Sequence, residues 1–196
     1  MAKTEEERLK AYLKKHEVIT TKEAGRLGIG RNTLSLFVKS GKLKRLERGV
    51  YATSVDILFD PLGSFVPAVI KVPEGVVCLI SALKLYELTD EMAEEKWIAI
   101  PHAKKVKPFS NVRFIRLRGL NYKLGMTVKK YKNYEIRIYN REKTIIDCFK
   151  YLPRELALKA LREYLKQKDQ NIDKLISYGR KLKSDISDTI TTLVTI

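Results

Sequence analysis

Residues 20–51 read TTKEAGRLGIGRNTLSLFVKSGKLKRLERGVY, and the break at Gly28, Ile29 and Gly30 separates two short amphipathic patterns that cannot be one helix. Thr20 and Thr21 are N-cap types, and Glu23 stands three residues after Thr20, the spacing of a capping box. Ala24 and Leu27 give the first helix its apolar face. Glycine at the break tolerates the positive φ that a tight inter-helix turn demands. A second helix is expected over residues 31–40, with Leu34, Phe37 and Val38 at i, i+3 and i+4 forming one apolar stripe and Gly41 ending it. Leu43, Leu46, Val50 and Tyr51 then suggest two short strands that turn near Glu47, Arg48 and Gly49. A preceding helical run over residues 4–16 carries Leu9, Tyr12 and Leu13. Three helices and a basic hairpin are the outline of a winged helix-turn-helix.

Charge sharpens that reading. Residues 22–51 contain eight Lys and Arg against two Glu, in a chain of net charge +16. A field of that sign favours nucleic acid or another polyanion. In the second helix, Arg31, Asn32 and Ser35 lie off the apolar stripe and Thr33 near its edge. They are the expected base contacts: Asn pairs bidentately with adenine and Arg with guanine. Lys39, Lys42, Lys44, Arg45 and Arg48 are expected on phosphates. Leu36 also falls off the stripe, placed to meet a thymine methyl or to pack under the wing. A basic helical hairpin that docks a protein has the same composition, and this alternative stays open.

The rest of the chain alternates in charge. Residues 52–102 hold three Lys and eight acids, whereas residues 103–143 hold thirteen Lys and Arg and two Glu. Domains are expected at 1–55 and 65–196, with the turn residues Asp60, Pro61, Leu62 and Gly63 in the boundary region. Strands are expected at Trp97 to Ile100, closed by Pro101, at 112–117, and as a hairpin turning at Lys132 and Asn133. In that hairpin Ile136 and Ile138 face one side and Glu135, Arg137 and Tyr139 the other. Helices should follow from Asn140 and from Pro153, the latter with Leu156, Leu158, Leu161 and Leu165 as its apolar face, and a last helix should open at Asn171. The end, SDISDTITTLVTI, reads equally as helix or strand. The fold class is α+β (mixed α/β): a winged helix-turn-helix followed by a sheet-and-helix domain. Within the basic segment, Lys104, Lys105, Lys107, Lys129, Lys130 and Lys132, interleaved with aromatic residues, are candidates for a second polyanion surface, for RNA or a protein partner. A sheet face merely solvated by cations accounts for them equally well.

Catalysis finds little support. Glu142 and Asp147 are five residues apart and off a shared helical face, and no metalloprotease or phosphate-loop pattern accompanies them. Asp147, inside an apolar helix face near Arg141 and Lys143, reads as half of a structural ion pair. Ser81 lacks a nucleophile-elbow frame. Two His and two Cys without paired spacing do not make a zinc site, and Cys78 and Cys148 sit in apolar text as buried thiols. No enzyme activity and no cofactor or metal are expected. With no bilayer-length apolar run and no signal-peptide core in MAKTEEERLK, a cytoplasmic protein is expected.

Three segments in order, SGKLKRLERGVYAT, PEGVVCLISALKLYELTD and YNREKTIIDCFKY, together resemble the AbiEi-type antitoxins of abortive-infection systems, also described as transcriptional regulators of viral defence systems. The resemblance runs from about Leu9 to Tyr151. It implies a winged N-terminal domain that binds repeats of double-stranded DNA in its own promoter and represses it. It implies a C-terminal domain that counters a nucleotidyltransferase toxin without a stable complex. Monomer and dimer are both compatible with repeated sites. A stand-alone winged-helix regulator is the alternative.

Overall fold

The computed structural model describes residues 4–194. Its chain divides into two compact units, Met1–Lys71 with Tyr131–Tyr134, and Val72–Lys130 with Glu135–Ile196.

In the first unit, α1 (Glu5–Leu13), α2 (Thr21–Arg26) and α3 (Arg31–Lys39) accompany a sheet of β1 (Val18–Thr20), β2 (Lys44–Glu47) and β3 (Val50–Ala52). The sheet is antiparallel in the order β1-β3-β2. This is the winged helix-turn-helix the hydrophobic pattern predicts, with one addition. β1 is only three residues long, too short to show a period of two, and exists because Val18 and Thr20 pair with Ala52 and Val50 of the wing. Leu9, Ile19, Ala24, Ile29, Leu34, Phe37 and Leu43 close one core. Gly28 carries the positive φ of the turn, +69°, while Gly30 is the extended N-cap of α3. Arg8 of α1 reaches the turn, its Nη2 donating to the Gly28 carbonyl at 3.2 Å.

The expected capping box is formed. Thr20 Oγ1 accepts from the Glu23 amide at 3.1 Å, and Glu23 Oε2 accepts from the Thr20 amide at 2.8 Å. A six-residue helix is far below the length that is stable alone in water. Thr20→Ala should therefore cost about 1 kcal/mol, seen as roughly five-fold faster amide hydrogen exchange across α2.

Beyond the wing, two single 3₁₀ turns (Asp56–Leu58 and Gly63–Phe65) lead into α4 (Val66–Lys71). Asp60 organises the turn, its Oδ1 accepting from the amides of Leu62 at 2.9 Å and Gly63 at 2.6 Å. Ile57, Phe65, Val66 and Ala68 are buried, so residues beyond 55 contribute packed apolar surface.

The second unit contains β4 (Val76–Val77), α5 (Leu79–Leu85), β5 (Lys96–Pro101), β6 (Val112–Leu117), α6 (Gly119–Lys123), β7 (Met126–Tyr131) and β8 (Tyr134–Tyr139) except for their end residues Tyr131 and Tyr134, α7 (Arg141–Tyr151), α8 (Arg154–Lys166), α9 (Ile172–Lys181) and α10 (Ser187–Val194). The strand order is β6-β5-β4-β8-β7. The sheet is mixed: β5 runs parallel to β6 and β4 to β8, while β4 and β5 are antiparallel. Val76, Ala99, Leu117 and Tyr139 join the buried residues of α5 and α7–α10 in one core. Tyr139 shares its sheet face with Glu135 and Arg137, as the alternation requires. Unlike them it is fully buried, because it stands at the strand end where α7 begins.

Helix α7 is the centre of that core, with every residue from 142 to 148 buried. Asn140 caps it, Oδ1 accepting from the Lys143 amide at 3.0 Å. Its buried charges are all engaged. Lys143 and Asp147 form an i,i+4 ion pair, with the ammonium 4.4 Å from the centroid of the Tyr139 ring. Glu142 accepts from Tyr164 Oη at 3.0 Å and pairs with Lys174 at 3.0 Å. Burial pushes the Lys143 ammonium below its ordinary pKa and the Asp147 carboxyl above its own, each pulled back by the other's charge.

In α8 the buried stripe is Ala157, Ala160, Leu161 and Tyr164, at i, i+3, i+4 and i+7. Leu156 and Leu165 are only partly buried beside it. Of the expected leucine face only Leu161 is fully buried, and Ala157, Ala160 and Tyr164 complete the stripe. The ambiguous C-terminal stretch is helical as α10. Thr191 and Thr192 return their hydroxyls to the carbonyls of Ser187 at 3.1 Å and Asp188 at 2.8 Å, the bond by which a β-branched hydroxyl residue is accommodated in a helix.

Candidate nucleic-acid interface

The outer face of α3 is built by its period. Leu34 and Phe37 point into the core, which leaves Arg31, Asn32, Ser35, Leu36 and Lys39, at i, i+1, i+4, i+5 and i+8, together on the exposed side, with Thr33 half-buried at the edge. Leu36 is 62% exposed, an apolar side chain standing among polar ones. The helix opens at Gly30 without a side-chain cap, so its first amides have no side-chain partner.

The wing lies in the same unit. β2 is an edge strand of its sheet and carries Lys44 and Arg45, both exposed, and a bulge between Arg45 and Glu47 shifts its register against β3. Arg48 and Gly49 make the turn. The Gly49 carbonyl accepts from the Thr21 amide at 3.0 Å, which ties the wing tip to the start of α2.

Pairing sorts the cations. Among the described residues, Lys22, Arg26, Arg31, Lys39, Lys44, Arg45, Arg48 and Lys71 make no ion pair or side-chain hydrogen bond. Lys42 differs. Its ammonium sits 2.7 Å from Glu6 of α1 and 5.7 Å from the centroid of the Phe37 ring. The Lys42 contact is the chief cause that holds the Glu6 carboxyl below its usual range, with Lys10 next. Cations without carboxylate partners are what a polyanion surface requires, since a partner would have to be displaced before a phosphate binds.

The six lysines of the basic segment present a different picture. Lys104 pairs with Glu74 at 2.6 Å, and Lys129 donates to the Leu85 carbonyl at 3.4 Å and lies 4.5 Å from the Tyr86 ring centroid. Lys132, within the first unit, pairs with Glu17, which raises its pKa. Lys105, Lys107 and Lys130 are exposed and unpaired among the described residues. Lys104, Lys105 and Lys107 follow β5, whereas Lys129 and Lys130 lie on the edge strand β7, three strand steps away in the sheet order, or about 14 Å at the usual spacing. Two tyrosines of the segment are occupied: Tyr139 is buried and Tyr122 Oη donates to the Glu74 carbonyl at 2.5 Å. The structure brings Lys22 and Arg26 of α2 and Arg31 of α3 into one cleft with Gly49 of the wing turn, and distributes the cations of the basic segment.

Sequence reasoning missed Lys71. It ends α4 and lines the same cleft as Lys22, Arg26 and Arg31. It was hidden in the acidic stretch 52–102, and no local pattern marks it. The positions weighed for catalysis are engaged structurally: Asp147 by Lys143, and Ser81 by the Trp97 amide, which donates to Ser81 Oγ at 2.8 Å. Among the described residues no helix is long and apolar enough to cross a membrane.

Comparison with known proteins bears on the same unit. No curated protein matches the chain. Residues 7–54, which run from α1 through the end of the wing, match the family described as the transcriptional regulator, AbiEi antitoxin, and it is to that family that the helix-turn-helix and wing of this chain are similar.

Proposed function

We propose that the chain is a sequence-specific regulator that binds double-stranded DNA, with α3 in the major groove and the wing on the adjacent backbone. The observation that carries this reading is the exposed row of Arg31, Asn32 and Ser35 on α3, in one unit with wing cations that have no carboxylate partners. Base edges are read by the first residues of α3, and Lys39, Lys44, Arg45 and Arg48 hold phosphates. Lys42 contributes to the phosphate grip only by exchanging Glu6 for DNA. The similarity of residues 7–54 to the AbiEi antitoxin regulators supports a narrower role, that of autorepressor and antitoxin. In that role the protein represses its own promoter and opposes a nucleotidyltransferase toxin without forming a stable complex.

The test is fluorescence anisotropy of the protein on its own upstream duplex and on a shuffled duplex across a salt series. Tighter binding to the upstream duplex, with a preference that survives rising salt, is the expected result. Equal binding that collapses with salt would mean a generic polyanion grip and would defeat the regulator reading.

A further inference from the structure

The cleft of ≈ 900 Å³ in the first unit is lined by Lys22 and Arg26 of α2, Arg31 of α3, Gly49 of the wing turn, and Ile70 and Lys71 of α4. Four cations from three helices line one concavity. Its single carboxylate, Glu23, is spent on the capping box, accepting from the Thr20 amide at 2.8 Å and the Thr20 hydroxyl at 2.9 Å. None of the four cations has another partner among the described residues. The Lys71 ammonium lies at the wing turn: a Cβ placed on Gly49 would be 3.3 Å from Lys71 Nζ. A concave site with a net excess of one sign focuses its field on an incoming anion more strongly than a flat solvated face does.

We propose that this cleft is a phosphodiester-binding site of the reading unit, with Lys71, Lys22 and Arg26 as its ligands. The inference rests on the DNA reading above and extends it past the wing, to a residue outside the 7–54 family match. Arg31 belongs both to the outer face of α3 and to the cleft, so the two surfaces are continuous. A duplex whose bases meet Asn32 therefore carries its neighbouring backbone into the cleft. The first helix of a helix-turn-helix crosses the backbone in this way. Lys71 adds a contact from α4, beside the wing turn at Gly49.

The experiment is the salt dependence of upstream-duplex binding by the full chain, wild type against Lys71→Gln, with Lys14→Gln as the control. Lys14 is an exposed lysine of the same unit that lines a different groove, with Leu9, Leu13 and Phe37. The expected result for Lys71→Gln is a slope of log K against log salt shallower by about 0.9, one phosphate contact on B-form DNA. The loss should be equal on upstream and shuffled duplexes, and Lys14→Gln should keep the wild-type slope. An unchanged slope in Lys71→Gln, with the wild type still preferring upstream DNA, overturns this inference alone. So does an equal fall in both variants, which would mark a generic charge effect. A wild type without salt-dependent duplex binding overturns the regulator reading and this site with it.

Discussion

Asp147→Ala should destabilise the second unit by about 3–5 kcal/mol, because it leaves the ammonium of Lys143 buried with no counter-charge. Lys143 is fully buried, and without Asp147 its ammonium keeps the face of Tyr139, far weaker than a carboxylate. Asp147 is itself only half satisfied: among the described residues its Oδ1 accepts no hydrogen bond. The pair is therefore costly to break and not especially favourable to keep. Lys143→Met combined with Asp147→Leu should be as stable as the parent or more so. The measurement is urea unfolding followed by Trp97, the single tryptophan, which packs against the core of the second unit. A fall below 1 kcal/mol in Asp147→Ala would show that Lys143 finds water or another partner, and that the pair is not what closes this core.

The second prediction concerns binding. Asn32→Ala should lose roughly 1–3 kcal/mol on the upstream site and almost nothing on random duplex, since a base-edge contact is informative only at the correct base. Arg48→Ala should weaken both duplexes alike and make the salt slope shallower by about 0.9. Both side chains are exposed, so the fold should tolerate either change within about 0.5 kcal/mol. Anisotropy on the two duplexes separates the outcomes. If both variants behaved alike on both DNAs, the division of α3 and the wing into readout and grip would be wrong.

The parts of the molecule legible in the sequence are those specified by neighbours a few residues away. The capping box of Thr20 and Glu23, the glycine turn, the stripe of Leu34 and Phe37, and the caps at Asn140 and Asn171 are local devices, and each is formed. The exposed face of α3 follows from that stripe alone. What escaped depends on contacts distant along the chain. β1 is made by pairing with β3 and has no pattern of its own. Lys42 looks like any wing lysine until Glu6 is found beside it. Lys71 enters the cleft because α4 returns it there, not because of any residue near it in sequence. In α8 hydrophobicity alone points to the leucines, whereas the buried stripe takes only Leu161 of them and is completed by Ala157, Ala160 and Tyr164.

The two cysteines have a use outside this architecture. Cys78 and Cys148 are both free, both buried and both in the second unit. Burial pushes both thiols up, so in the closed state neither is a reactive thiolate. An alkylating reagent therefore has to wait for the second unit to open, and the rate of thiol loss becomes a clock for that opening. The first unit, which carries no sulfhydryl, contributes no signal to it.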